Sequence, residues 1–146
     1  MKKLFFAALI AVSVSANAFA QEVNQIDERA IESFESAFAG ASGVEWVSKE
    51  NFTKASFLQN EQKVEIFYNS DGEFIASTRQ IKMEAVPTSI QRIIAKSYSN
   101  YTVKEAFKFQ ANDETAYYIA AENEDENIVL KVKGGLCSVY SRTAKN

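Results

Sequence analysis

The sequence predicts an α+β fold: two tandem helix-plus-four-strand repeats forming an antiparallel sheet with the helices packed on one face. Three observations lead there. Val64 to Arg79, VEIFYNSDGEFIASTR, reads as two strands joined by a tight turn at Asn69-Ser70-Asp71-Gly72, where Asp tolerates unusual backbone conformations and Gly takes positive φ at no steric cost. A degenerate copy, IVLKVKGGLCSVYSR, runs from Ile128 to Arg142. An amphipathic helical stripe precedes each group of strands. The repeats span about 24–81 and about 87–142.

In chain order, MKKLFFAALIAVSVSANAFA comes first. Lys2 and Lys3 make a basic start, Leu4 to Val14 an apolar run, and Ala18-Phe19-Ala20 a small-x-small cleavage pattern. This is a signal peptide cleaved after Ala20, and it places the protein in the periplasm or outside the cell. The apolar run is too short to span a membrane comfortably. Residues 21–146 form a single domain. From Ile26 to Ala39 the apolar residues Ile26, Ala30, Ile31, Phe34, Ala37 and Phe38 fall at helical steps. Asn24 is placed to cap, with Asp27 in the first turn, and Gly40 and Gly43 end the helix. Four strands follow, at Val44–Val47, Phe52–Leu58, Lys63–Asn69 and Glu73–Ile81. Pro87, the only proline, then precedes the stripe Ile90, Ile93, Ile94 and Tyr98. Four more strands follow at Val103–Phe109, Ala116–Glu122, Asn127–Lys133 and Leu136–Arg142, the last two joined at Gly134-Gly135.

Composition narrows the function. Cleavage after Ala20 removes 20 of 146 residues and two lysines, leaving 126 residues with 14 basic and 19 acidic side chains, a net charge of −5. That balance argues against nucleic acid and anionic membrane surfaces as partners. There is no histidine, which excludes His-based triads, His general bases and most transition-metal sites. The single cysteine, Cys137, leaves no disulfide framework, so the domain must rely on its apolar core.

Strand residues alternate between faces. If Tyr68 sits opposite Phe74, then Val64, Ile66, Tyr68, Phe74, Ala76 and Thr78 share one face, as do Ile128, Leu130, Val132, Leu136, Ser138 and Tyr140. This more apolar set is expected under the helices, packed by Phe34, Phe38, Ile94 and Tyr98. The other face then carries Glu65, Phe67, Ile75, Ser77, Val129, Lys131, Cys137 and Val139, joined by Lys54 and Tyr118. It is too apolar for a purely solvated face and too charged for a second core. Such a surface fits binding, and equally a shielded or partnerless sheet face. The candidate protein-binding residues are Lys54, Phe67, Ile75, Tyr118, Val129, Lys131 and Val139. Being exposed, they should be replaceable with little loss of stability.

Other chemistry is thin. Asp113-Glu114 and Glu122 to Glu126 offer oxygen ligands of the kind that hold calcium, but without EF-hand spacing, and solvated turns look the same. Asp71 and Glu73 sit at a hairpin tip, which is normally wet, with no apolar pocket to separate their pKa values. Cys137 has no histidine to activate it and reads as structural, with an intermolecular disulfide as the alternative. Two glycosylation sequons, Asn51-Phe52-Thr53 and Asn100-Tyr101-Thr102, matter only in a eukaryotic secretory protein, and the compact signal looks bacterial. No catalytic, cofactor-binding or metal residue is assigned.

Val44-Glu45-Trp46, Phe52, Lys54-Ala55-Ser56-Phe57, Phe67 through Ala76, Val86-Pro87, Tyr98, Tyr101 and Val103 together resemble the PepSY-like domains. These are small exported bacterial proteins, some called β-lactamase-inhibitor-like. The resemblance covers nearly all of the chain after Ala20. It implies a periplasmic or secreted, non-enzymatic α+β protein. PepSY domains proper are associated with peptidase inhibition or regulation, and in inhibitor-like relatives the exposed sheet face binds protein. The second repeat departs from the pattern, with Glu105 where Trp46 would align and Gly134-Gly135 in place of Asp-Gly.

The expected function is an exported, non-enzymatic module that docks a protein or peptide on its open sheet face, as an inhibitor or regulator. No cofactor is implied, and the partner is unidentified; a homodimer is one way to cover the face. The alternative is a small-ligand-binding envelope protein with a pocket between helix and sheet, lined by Tyr98, Tyr117 or Tyr140.

Overall fold

The computed structural model describes residues 26–146; the expected signal peptide and its cleavage site lie outside the described residues. Asp27 opens helix α1 (Glu28–Ala37), its carboxylate accepting the Arg29 backbone N–H at 2.9 Å. Asp27 is thus the cap rather than a first-turn residue. One residue outside the helix, its oxygen reaches an otherwise orphaned amide directly. Ala30 and Phe34, one turn apart, are the buried face of α1. Phe34 meets Trp46 and Phe57 edge-on, with centroids 5.3 and 5.4 Å away. The second helix, α2 (Thr88–Ser97), starts after Pro87, where a missing N–H costs nothing, and buries Ile90 and Ile94.

Eight strands form one open antiparallel sheet in sequence order: β1 (Glu45–Ser48), β2 (Thr53–Gln59), β3 (Gln62–Tyr68), β4 (Phe74–Ile81), β5 (Thr102–Ala111), β6 (Thr115–Glu122), β7 (Glu126–Lys133) and β8 (Leu136–Ala144). A single 3-10 turn, Met83–Ala85, and α2 connect β4 to β5. The α+β architecture with an antiparallel sheet is as expected. Both helices pack on one side. Helix α1 covers Ala55, Phe57, Val64, Ile66 and Tyr68, and α2 covers Ala106, Ile119, Ala121, Ile128, Leu130 and Val132.

Tyr68 does pair with Phe74, but a bulge at Phe67/Tyr68 follows, so that Phe67 pairs with Ala76 and Glu65 with Thr78. One extra residue reverses the faces beyond it. Ala76 and Thr78 therefore lie on the bare side, and Ser77, paired with Ile66, lies on the helix side. The same kind of reversal affects β8. The Gly134-Gly135 turn has only two residues, so Lys133 meets Leu136 and Val132 meets Cys137. Both glycines have positive φ, 57° and 78°, as two-residue turns require. Cys137 and Val139 consequently sit on the helix side, while Leu136, Ser138 and Tyr140 sit on the bare side, Tyr140 at a second bulge.

The β3–β4 turn is not free in solvent. Asn69 Oδ1 accepts the N–H groups of Asp71 and Glu73, each at 2.9 Å. Gly72 lies against the start of α1, and Ser33 Oγ donates to its carbonyl at 3.0 Å. A Cβ on Gly72 would stand 2.6 Å from Arg29 Cβ and 2.8 Å from the Ala30 nitrogen. The side chains of Asp71 and Glu73 stay exposed, but the backbone between them fastens α1 to the sheet.

Candidate binding face of the sheet

The pairing lays the side chains of the bare face out in rows. One row runs Val47, Lys54, Phe67, Ala76, Ala111. The next runs Glu45, Ser56, Glu65, Thr78, Phe109, Ala116. A third runs Gln80, Phe107, Tyr118, Lys131, Ser138. Six of the seven sequence-predicted residues lie here: Lys54, Phe67, Ile75, Tyr118, Val129 and Lys131. Val139 does not, since it pairs with Leu130 in the α2-covered cluster.

These six are mostly floor rather than contact surface. Phe67 is 0% exposed, Tyr118 1% and Lys54 5%. With Ala76, Phe107, Phe109 and Ala116 they form a third core, flanked by Phe52, Ile75, Ala111, Val129 and Tyr140. Neither described helix lies on this side. Burial this complete requires side chains from neighbouring strands to cover one another, so the sheet curls toward the bare face. Edge-to-face rings show the interlocking: Phe52 on Phe67 at 5.8 Å, Phe109 on Tyr118 at 6.1 Å, Tyr118 on Tyr140 at 5.2 Å.

Two ion clusters flank the aromatic floor. Glu65, its side chain 1% exposed, meets Lys63 Nζ at 2.9 Å and Lys54 Nζ at 3.5 Å. Across the face, Glu114 meets Lys131 and Lys133, each at 2.9 Å. Those two lysines hold the Glu114 carboxyl below its ordinary value, Lys133 first. Lys131 Nζ also lies 5.6 Å from the Tyr118 ring centre. Burial pushes the hydroxyls of Tyr118 and Tyr140 up. The Tyr140 hydroxyl oxygen is buried with no hydrogen-bond partner among the described residues. The groups that reach solvent are Lys133, Leu136 and Ser138, with Lys63 and Lys131 partly so. Sequence reading placed Glu65 on this face but missed its role. The signal was there, since Lys63-Val64-Glu65 puts opposite charges on one side of a strand, facing Lys54 on the next.

Other candidates resolve differently. Cys137 packs under α2, and burial raises its thiol pKa, so it stays protonated. At the β6–β7 turn, an open polar cleft of about 560 Å³ is lined by Glu122, Asn123, Glu124, Asp125 and Lys145, among others. Lys145 Nζ sits within it, 2.7 Å from the Asn123 carbonyl and 3.1 Å from Glu122. Among the described residues no group of three His, Cys, Asp or Glu is placed to hold a metal. Tyr98 and Tyr117 lie on the helix side and Tyr140 on the other, so the three do not line one helix–sheet pocket.

Solved structures share this fold. A DUF2874 family protein from Bacteroides uniformis superposes with a TM-score of 0.73 at 14% identity, over 82% of this chain and 90% of that one. A protein classed as periplasmic from Bacteroides eggerthii gives 0.72 at 13%, over 82% and 89%. A BLIP-like protein from Bacteroides fragilis gives 0.67 at 12%, over 82% and 86%. The fold is BLIP-like. Neither a family model nor a curated sequence matches the chain. At these identities the likeness concerns the fold alone, and it does not extend to PepSY domains in particular. No described helix is long and apolar enough to cross a membrane.

Proposed function

We propose that this protein is an exported, non-enzymatic binding module that docks a protein or peptide on the bare face of its sheet, in the manner of an inhibitor or regulator. One observation carries the reading. The bare face is a curled, aromatic-floored surface bordered by exposed cations, whereas helices close the opposite face. A partner would meet the rim, Lys63, Lys131, Lys133, Leu136 and Ser138, and bring an acceptor to the Tyr140 hydroxyl. The floor, Phe67 and Tyr118, would act by holding that rim in shape. The BLIP-like and periplasmic neighbours are consistent with such a module in the envelope. The two halves, each a helix followed by four strands, also accord with a tandem repeat of the PepSY-like kind.

The test separates rim from floor. Lys133→Glu and Leu136→Ser should leave the unfolding midpoint unchanged and abolish recovery of specific partners from envelope extract, identified by mass spectrometry against the unmodified protein. Recovery of the same partners by both rim variants sinks the proposal.

A further inference from the structure

A second charged feature lies on the helix side, at the seam between the halves. Helix α1 covers β1 to β3 and α2 covers β5 to β8. Between the two clusters, β4 and β5 present Ser77 paired with Gln110 and Arg79 paired with Lys108. Residues two apart on a strand share a face, so these four form a grid about 5 Å across and about 7 Å along the strands. Every one is a hydrogen-bond donor, and none is a carboxylate.

Arg79 and Lys108 are directly opposed like charges, an arrangement that destabilises a bare strand pair. Both are partly buried. Neither has a carboxylate at ion-pair distance among the described residues. The lysines of the bare face differ in that each sits against Glu65 or Glu114. Arg79 Nη2 donates to Gln59 Oε1 at 2.7 Å, which anchors one arm of the guanidinium and leaves the other donors of the fork available. In a chain with more acidic than basic residues, two opposed cations without a counter-charge mark a place where an anion lowers the energy of the fold.

We propose that Ser77, Arg79, Lys108 and Gln110 bind a phosphate or sulfate group at the seam between the helices. A tetrahedral oxyanion offers acceptors in several directions at once. It can take a forked contact from Arg79 and a point charge from Lys108, with Ser77 and Gln110 as neutral donors. The site is on the side of the sheet opposite the proposed docking face, so it is independent of that reading. Its occupant is either a free ion or a phosphate or sulfate carried on a polymer.

The experiment is thermal unfolding of the exported chain in millimolar sodium sulfate, with ionic strength held constant by sodium chloride. At that concentration general salt exclusion is small. The unmodified protein should show a saturable rise in midpoint. Arg79→Gln and Lys108→Gln should each weaken it, and the double variant should abolish it. Without sulfate, each single variant should melt no lower than the unmodified protein, because the repulsion is relieved. Lys108→Glu is the second control. It supplies an internal counter-charge to Arg79 and should also abolish the sulfate response. Dextran sulfate in a parallel series separates the sources. A response to both probes that is lost in the double variant assigns a free-ion site. A response to the polymer alone, lost in the same variant, assigns a polymer-borne group. An equal response in the unmodified protein and the double variant, or none in either, overturns the proposal.

Discussion

The two faces of the sheet are both buried, but by different means. On the helix side, each helix shelters the strands of its own half, and the α1 and α2 clusters remain separate. On the bare side, a single cluster runs from Phe67 on β3 to Tyr140 on β8, crossing the β4–β5 seam. The helices therefore stabilise the halves, and the bare-face aromatics join them. A face without a helix has become core because the sheet curls, which leaves only its rim for a partner.

The most severe test of this comparison is truncation of matched rings. Phe67→Ala on the bare face should cost about 3–5 kcal/mol, as much as Phe34→Ala under α1. Urea unfolding of both variants measures it. A loss below about 0.5 kcal/mol for Phe67→Ala, the range of surface substitutions, would return the bare face to ordinary surface.

The ion clusters on the two flanks should separate nearly as clearly. Glu65→Gln leaves Lys54, 5% exposed, without its counter-charge, and should cost about 3–5 kcal/mol. Glu114→Gln, at a site where the carboxylate side chain is 21% exposed, should cost about 1 kcal/mol or less. Equal losses would mean that burial does not distinguish the two clusters.

Turn substitutions compare the two hairpins. At Gly72 a methyl group meets α1 backbone and φ is +78°, so Gly72→Ala should cost about 2–4 kcal/mol from strain and crowding together. At Gly135 φ is also +78° but nothing lies within 4 Å, so Gly135→Ala should cost only about 1–2 kcal/mol. Chemical denaturation of the pair shows whether the first turn alone holds a helix.

The smallest effect is in pH. Lys133 and Lys131 depress the Glu114 pKa below its ordinary 4.5. A depressed carboxyl stabilises the fold above its unfolded value, and that contribution disappears as pH falls through the lower folded value. Subtracting the Glu114→Gln stability curve from that of the unmodified protein should give a difference that is flat above pH 4.5 and shrinks below it. A difference that grows on acidification would reverse the assigned sign.

Element type and order were legible in the residues themselves. The steps of Ala30 and Phe34, and of Ile90 and Ile94, announce helices by period. Alternation in Val64-Glu65-Ile66-Phe67 announces a strand, and Asp71-Gly72 and Gly134-Gly135 announce turns through the backbone conformations they permit. What the residues could not announce was parity. The bulge after Tyr68 and the two-residue turn at Gly134-Gly135 each move the register by one, and one step exchanges the faces of all that follows. Thus Ala76 and Tyr140 left the expected core, and Cys137 and Val139 entered the helix side. Nor could local pattern show that Gly72 would lie on α1, that Phe67 would be sealed by a curled sheet, or that Arg79 would face Lys108. Composition and periodicity determined by themselves that this is an α+β protein with eight antiparallel strands and two helices. Only the tertiary structure decided which side chains share a face, because register, curvature and helix docking depend on contacts between residues distant in the chain.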